Sequence, residues 1–209
     1  KLGRPKLFFG ISPGCMDSMV NKYTANKRLR SIDEYSPDGR HDCRPDYPTI
    51  VYSQILKKLY PDIPVILGGI EASMRRLTHY DYWQDKLRRC ILCDSGADMI
   101  LYGSGTKSII QISKDIESGM SVNEMHNIPQ TVYLAKEGDI NGGIKDDDII
   151  LHSHEECLAN KKAEAENYRH IEEESNKIHA QRLLQQTGKV FAVVNPPYPT
   201  MTTEELDAS

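Results

Sequence analysis

The sequence predicts an α/β fold in which helices flank a parallel sheet. Three short apolar runs, at residues 7–12, 65–67 and 99–102, are each followed by glycine or proline, as is typical of buried strands. Segments with a helical spacing of apolar residues come after these runs. The resulting order, strand then helix three times over, favours parallel strands joined by crossover helices.

A long polar stretch follows the first strand. Residues 16–23 at its beginning are predicted as a helix, and residues 31–48 as a loop. The tetrapeptide Ser36-Pro37-Asp38-Gly39 is a strong turn signal inside this loop. Loops of this length in a compact domain are usually functional or mobile.

Helices are predicted where apolar residues recur every three or four positions. In residues 49–60 the recurring residues are Val51, Ile55 and Leu59. The same spacing predicts a helix through Trp83, Leu87 and Ile91. Residues 106–119 carry isoleucines on a helical pattern and end at Gly119, a favoured helix stop.

The remaining residues have a different composition. Short strands are predicted at residues 130–134, 149–151 and 190–194, and the Glu-rich residues 154–186 are predicted as helical with a break near residues 174–176. We therefore divide the chain into two parts. Residues 1–125 are predicted as a Rossmann-like α/β domain that is incomplete at its N-terminus, and residues 126–209 as an acidic strand and helix extension.

Charge divides the chain in a similar way. Residues 1–110 contain 17 Lys and Arg against 12 Asp and Glu, whereas residues 111–209 contain 9 against 18. Such asymmetry is typical of a basic binding face with an acidic appendage, of two surfaces that meet, or of an ordinary solvated surface. Arginines and lysines alternate with tyrosines in the first half, so nucleic-acid binding is one interpretation and solvated ion pairs are the other.

Several classes of protein are excluded. No apolar run approaches the roughly 20 residues that cross a bilayer, and no signal peptide opens the chain, so a cytoplasmic protein without a membrane partner is expected. The five cysteines have no dense spacing, which excludes a secreted disulfide scaffold. The pair Cys90 and Cys93 is either half a zinc site or two buried or free thiols. His152 and His154 are either a solvent-facing pair or metal ligands.

Ligands of parallel α/β sheets bind beyond the carboxyl ends of the strands. Residues 13–21, 68–76 and 103–107 are therefore expected on one rim. The candidate ligand-binding residues on it are Asp17, Ser18, Asn21, Gly68, Gly69, Glu71, Ser73, Arg75, Arg76, Gly103 and Gly105. The glycines either allow a ligand such as a phosphate to approach the backbone or only form tight turns. No catalytic residue and no metal ligand is predicted.

The order and spacing of the motifs at residues 68–73, 97–98 and 102–105 resemble those of the cobalamin-binding-like Rossmann domain that precedes many radical S-adenosylmethionine (SAM) enzymes. Longer segments resemble the YgiQ-type family of radical SAM proteins. They are Met16–Asn21, Arg44–Tyr47, Val51–Leu56, His79–Trp83, Asp94–Asp98 and Val194–Pro197. The resemblance extends from about residue 7 to the C-terminus.

This resemblance implies a [4Fe-4S] cluster and SAM for a longer parent protein that performs reductive radical chemistry on an unknown substrate. The cysteines here lack the C-x3-C-x2-C spacing of a cluster loop, and in the family the catalytic core lies downstream of the Asn-Pro-Pro segment. The chain is therefore expected to be an internal part of the parent, with the downstream core as its partner and without cluster or SAM of its own. No D-x-H-x-x-G segment is present, so histidine ligation of cobalamin is not expected. The alternative is a non-catalytic module that binds a nucleotide or corrinoid or docks a substrate.

Overall fold

A seven-stranded sheet with helices on both faces organises the computed structural model, which describes residues 3–207. The strands are β1 (Phe9–Ile11), β2 (Val65–Leu67), β3 (His79–Asp81), β4 (Lys86–Arg88), β5 (Met99–Leu101), β6 (Thr131–Ala135), β7 (Ile149–Leu151), β8 (Leu183–Thr187) and β9 (Val190–Val194). The helices are α1 (Ser18–Lys22), α2 (Pro48–Leu59), α3 (Gly69–Met74), α4 (Ile91–Ser95), α5 (Thr106–Glu117), α6 (His154–Ala159), α7 (Lys161–Ser175) and α8 (Thr203–Asp207).

The strand order of the sheet is β1-β2-β5-β6-β9-β8-β7. The predicted α/β fold is confirmed, and β1, β2 and β5 form its Rossmann-like parallel part. Beyond β5 the sheet continues with three antiparallel pairings and ends in the parallel pair β8–β7. The strands after residue 125 thus extend the same sheet, and the division into two domains stays a prediction.

The core has two layers because the strands are buried on both faces. On one face, α2, α3, α4 and α7 cover residues from every strand of the sheet, including Ile11, Leu67, Ile100, Val132 and Leu183. On the other face, α5 packs Ile112 against Met99 and Leu101. Strands buried on both faces give continuous apolar runs, which is why β2 and β5 were recognisable in the sequence.

The predicted helix through Trp83, Leu87 and Ile91 is wrong. Residues 79–88 form an antiparallel hairpin, β3–β4, and only Ile91 begins a helix, α4. The turn is held by Asp81, whose Oδ1 accepts hydrogen bonds from the backbone N–H groups of Trp83 (2.9 Å) and Gln84 (3.2 Å). This side-chain turn outweighs a helical spacing carried by only three apolar residues.

The predicted helix over residues 154–186 is correct only in its first part. The helices α6 and α7 fill residues 154–175, and the predicted break near residues 174–176 is confirmed as the end of α7. Residues 183–186 were wrongly included, because they belong to β8, which pairs with β9 on one side and β7 on the other. The short helix α3 was not predicted at all, since its residues were assigned to a ligand-binding loop.

The edge of the sheet at which β1, β2 and β5 end is called the rim below. Both β5 and β9 pair antiparallel with β6, so they run in the same direction and β9 ends at the rim as well. The rim therefore carries the loops after β1, β2 and β5 together with the segment that begins at Asn195.

Candidate functional site on the rim

Contacts between the loops confirm that the three predicted segments meet on the rim. The backbone N–H of Ser18 donates to Glu71 Oε2 at 2.7 Å, which joins the first loop to the second. The N–H of Gly103 lies 3.4 Å from Ser73 Oγ, which joins the second loop to the third. The candidate residues thus lie together, and their role as ligands stays a prediction.

One group of candidates forms an internal ion-pair cluster around Arg75. This guanidinium is 2.6 Å from Asp17 Oδ2 and 3.6 Å from Glu71 Oε1, and only 8% of the residue is exposed. Asp17 also caps α1 by accepting from the N–H groups of Met19 and Val20. Burial raises the pKa of Asp17, the nearby Arg75 lowers it, and Glu71 raises it further. These side chains bind one another and hold the first loop against α3. Most of their polar atoms therefore already have a partner and are not open to a ligand.

Asn21 belongs to a second buried network, which orders the long polar segment. Its Nδ2 donates to Asp33 Oδ1 at 2.7 Å, and Arg44 binds both carboxylate oxygens of Asp33 at 2.8 and 2.9 Å. The N–H of Tyr35 and the hydroxyl of Ser36 donate to the same carboxylate. The predicted loop is therefore held by one buried carboxylate rather than by regular secondary structure.

The rim glycines serve close packing. Gly69 has a φ of +83°, and a Cβ there would lie 2.7 Å from Ser12 Oγ. Gly103 has a φ of +66°, and a Cβ would lie 2.8 Å from Gln130 Nε2. Gly68 and Gly105 are the N-terminal cap residues of α3 and α5. The tight-turn interpretation thus accounts for Gly69 and Gly103 without a ligand.

Arg76 has very different surroundings from Arg75. It lines a cavity of about 300 Å³ on the rim, together with the candidates Ser73 and Gly103. The walls of this cavity, called the Arg76 cavity below, are completed by Tyr102, Glu174, Ser175, Ala180, Gln181, Leu183, Val194, Asn195, Pro196 and Pro197. The guanidinium lies over the Tyr102 ring, 5.1 Å from its centroid.

Sequence reasoning missed the far wall of this cavity. Tyr102 and Asn195 stood inside the segments that carry the family resemblance, but nothing in their spacing brings them together. Only the strand order places the end of β9 beside the end of β5, where Tyr102 donates from its hydroxyl to the Asn195 carbonyl at 2.5 Å.

The cysteine pair and the histidine pair, for which metal binding was one of two interpretations, make contacts of other kinds. All five cysteines are free, with Cys90 buried and Cys93 partly buried, and burial raises the pKa of both thiols. His152 Nε2 lies 2.9 Å from a Glu166 oxygen, whereas His154 Nδ1 lies 3.1 Å from Thr78 Oγ1. Within residues 3–207, no group of three or more His, Cys, Asp or Glu side chains is arranged to hold a metal ion.

Many of the basic side chains that suggested nucleic-acid binding are in ion pairs. Arg88 and Arg89 both pair with Asp94, and Lys22 pairs with Asp42 and Asp46. Lys27 lies over the Tyr82 ring at 4.7 Å. Nucleic-acid binding stays a prediction. No helix within the described part of the chain has the length and apolar character needed to span a membrane.

Comparison with known proteins gives the following matches. The model of the radical SAM N-terminal family matches residues 1–209. The chain is 60% identical to a UPF0313 protein of Bacteroides thetaiotaomicron, over 100% of this chain and 35% of that protein. It is 56% identical to a UPF0313 protein of Porphyromonas gingivalis (100% and 33%) and 44% identical to one of Clostridium botulinum (99% and 32%). The chain spans about a third of the length of these curated relatives. No solved structure matches it significantly.

Proposed function

This chain belongs to the radical SAM N-terminal family, and we propose that it is a non-catalytic domain whose rim receives the radical SAM core of a longer protein. In that protein the core binds the [4Fe-4S] cluster and SAM and carries out reductive radical chemistry. A cytoplasmic location, expected from the sequence, belongs to the same proposal.

The cysteines of this chain do not fit the cluster. A [4Fe-4S] cluster is held by cysteine thiolates, and radical SAM proteins supply three of them in a C-x3-C-x2-C loop. Here Cys15, Cys43, Cys90, Cys93 and Cys157 have no such spacing. Burial raises the pKa of Cys157 to about 12, so this thiol stays protonated at neutral pH. We assign cluster and SAM binding to the two thirds of the relatives that this chain does not match.

The observation that carries the proposal is the path of the chain after β9. The Asn195-Pro196-Pro197 segment leaves the sheet at the rim and is tied down there on both sides. The hydroxyl of Tyr102 donates to the Asn195 carbonyl at 2.5 Å, and the N–H of Gln130 donates to the Pro196 carbonyl at 3.0 Å. The chain then continues along the rim, where Lys107 lies over the Tyr198 ring and pairs with Glu205 of α8 at 2.7 Å. This path supports the rim as the face toward the core.

The catalytic part of the proposal is tested on a full-length relative. We expect the UPF0313 protein of Bacteroides thetaiotaomicron, reconstituted anaerobically with iron and sulfide, to produce 5′-deoxyadenosine from SAM after reduction. The 209-residue chain treated in the same way is the control and is expected to produce none. Absence of a C-x3-C-x2-C segment from the unmatched part of these relatives would contradict the proposal.

The docking part is tested by hydrogen exchange. We expect backbone amides of residues 102–105 and 130 to exchange more slowly in the full-length protein than in the 209-residue chain, because the core covers the rim. Amides at the opposite edge of the sheet serve as the internal reference. Equal exchange at the rim in both proteins would show that the core docks elsewhere.

A further inference from the structure

We propose that the Arg76 cavity binds a small molecule through an oxyanion, a carboxylate or phosphate group held by the Arg76 guanidinium. This inference does not depend on a radical SAM core, because every residue it uses lies in the chain described here.

The first argument is the unpaired charge of Arg76. Other buried or partly buried arginines are neutralised, Arg75 on the rim by Asp17 at 2.6 Å and Arg88 in β4 by Asp94. Among residues 3–207, no carboxylate lies within 4.0 Å of the Arg76 guanidinium, and Glu172 attracts it only from farther away. Its one hydrogen bond runs from Nη1 to the Ser73 carbonyl at 2.5 Å. Its Nε is buried without an acceptor. A desolvated cation with free donors is costly unless an anion binds it.

The second argument is preorganisation. The guanidinium stacks on the Tyr102 ring, and Tyr102 is itself fixed by its hydrogen bond to the Asn195 carbonyl. Because Nε is buried, the open part of the guanidinium is its end, where Nη2 has no acceptor among the described residues and, with the second N–H of Nη1, forms a fork that binds two oxygens of one carboxylate or phosphate. Burial lowers the pKa of Arg76, yet an arginine remains charged at neutral pH.

The third argument is the lining of the cavity. Leu183, Val194, Pro196 and Pro197 make one wall apolar, and a volume of about 300 Å³ holds the body of an organic molecule as well as its anionic group. The one carboxylate in the lining, Glu174, is already neutralised by Lys177 and accepts from the Gln181 N–H at 2.7 Å. It therefore repels an anion only weakly.

The rim side of Arg76 is favoured over the other side. Arg76 also borders a groove of about 690 Å³ between α3, β3 and α7, but that groove is lined by two carboxylates, Glu164 and Glu172, against one further cation, Lys161. Neither has an ion-pair partner within 4.0 Å in the described residues, so both disfavour a second anion. The rim is also where parallel α/β sheets bind ligands.

The site is tested on the 209-residue chain by nuclear magnetic resonance of the arginine Nε–Hε groups. The chain is titrated with inorganic phosphate and, separately, with acetate, while chloride holds the ionic strength constant. We expect a saturable shift of the Arg76 Nε–Hε signal and of the Gly103 amide. Saturation by phosphate identifies a phosphate ligand, and saturation by acetate alone identifies a carboxylate.

Variants decide whether Arg76 is responsible. Arg76→Gln is expected to weaken the apparent affinity at least about tenfold, and Arg76→Lys, which keeps the charge but loses the fork, by a comparable factor. Arg28→Gln removes the same charge from an exposed position and is expected to change the affinity less than about twofold. A shift that does not saturate in the unmodified chain, or one that saturates equally in folded Arg76→Gln or Arg76→Lys, overturns the proposal. If neither variant folds, the titration of the unmodified chain decides alone.

Discussion

At the scale of single residues, Arg75 and Arg76 show how neighbours in sequence acquire different roles. Arg75 turns toward α1 and completes a buried cluster with Asp17 and Glu71. Arg76 turns toward β5 and stacks on Tyr102 without a carboxylate partner in the described residues. Asp17 and Glu71 pair with Arg75, whereas no carboxylate lies within 4.0 Å of Arg76 in the described residues. The first arginine therefore stabilises the loop, and the second is the one that we propose binds a ligand.

Asp33 controls the acid stability of the long polar segment. Burial alone raises the pKa of this carboxyl, but hydrogen bonds from Arg44, Tyr35, Asn21 and Ser36 outweigh it and hold the pKa well below its ordinary value. The unfolded chain keeps the ordinary value of about 4. The stabilisation by Asp33 is therefore complete above about pH 4 and is lost as the pH falls toward the folded-state pKa.

We expect Asp33→Asn to lower the free energy of unfolding by roughly 3 kcal/mol at pH 7, since Arg44 loses its charged partner. The difference from the unmodified chain should shrink below about pH 4. Urea unfolding at pH 7, 4 and 3 measures both effects. Asp62→Asn, which breaks an exposed pair with Arg4, is the control and should leave the free energy of unfolding nearly unchanged, because solvent screens that pair. A difference for Asp33→Asn that is independent of pH would contradict this account.

At the scale of elements, local patterns identify those held together by local interactions. Helix α5 was predicted because isoleucines recur at a helical spacing, three of which (Ile109, Ile112 and Ile116) face the core, and because Gly119 follows it. The β3–β4 hairpin and β8 were mistaken for helices, because the spacing of apolar residues along the chain does not show which segments pair as strands. For β8 the partners are β7 and β9. The sequence alone does not show why a polar residue, Gln185, lies in the middle of this buried strand.

Gln185 joins three elements in the structure. Its Oε1 accepts from the Thr78 N–H at 2.7 Å, and its Nε2 donates to the His152 carbonyl at 3.0 Å. Gln185 is only 1% exposed, so water does not reach the Thr78 N–H or the His152 carbonyl when the amide group is removed. We expect Gln185→Leu to lower the free energy of unfolding by about 2–4 kcal/mol.

The neighbouring residue offers a matched control. Gln186 lies on the same strand but is exposed, and Gln186→Leu should change the free energy of unfolding by less than about 0.5 kcal/mol. Denaturant unfolding of the two variants side by side makes the comparison. Equal destabilisation would show that strand propensity, rather than the buried hydrogen bonds, determines the effect.

At the scale of the whole molecule, the end of β9 connects the last strand to the rim. Asn195 is 6% exposed, and its Nδ2 donates to the His126 carbonyl (2.9 Å), the Ile128 carbonyl (3.1 Å) and Thr131 Oγ1 (2.9 Å). The Asn195 amide thus provides hydrogen bonds to acceptors in and next to the loop before β6, and it fixes the point at which the chain leaves the sheet.

We expect Asn195→Ala to lower the free energy of unfolding by about 2–3 kcal/mol, because the His126 carbonyl and Thr131 Oγ1 lose their donor, whereas the Ile128 carbonyl still accepts from the Thr131 hydroxyl. Hydrogen exchange at the Gln130 amide, which bonds to the Pro196 carbonyl, should become faster as the exit segment loosens. Asn123→Ala, at an exposed position in a short 3-10 helix, is the control and should leave both unchanged. Unaltered exchange at Gln130 in Asn195→Ala would contradict this role.

The α/β class, the three parallel strands and the meeting of their loops on the rim could all be predicted from the sequence. These follow from apolar runs and glycines that act within a few residues, and from the general rule that parallel strands end on one edge. The tertiary structure alone decided that β6 to β9 extend the same sheet, that Arg75 is paired and Arg76 is not, and that Tyr102 lies against Asn195. Those outcomes depend on contacts between residues up to 107 positions apart, such as Thr78 with Gln185, and such contacts form only when the whole chain is packed.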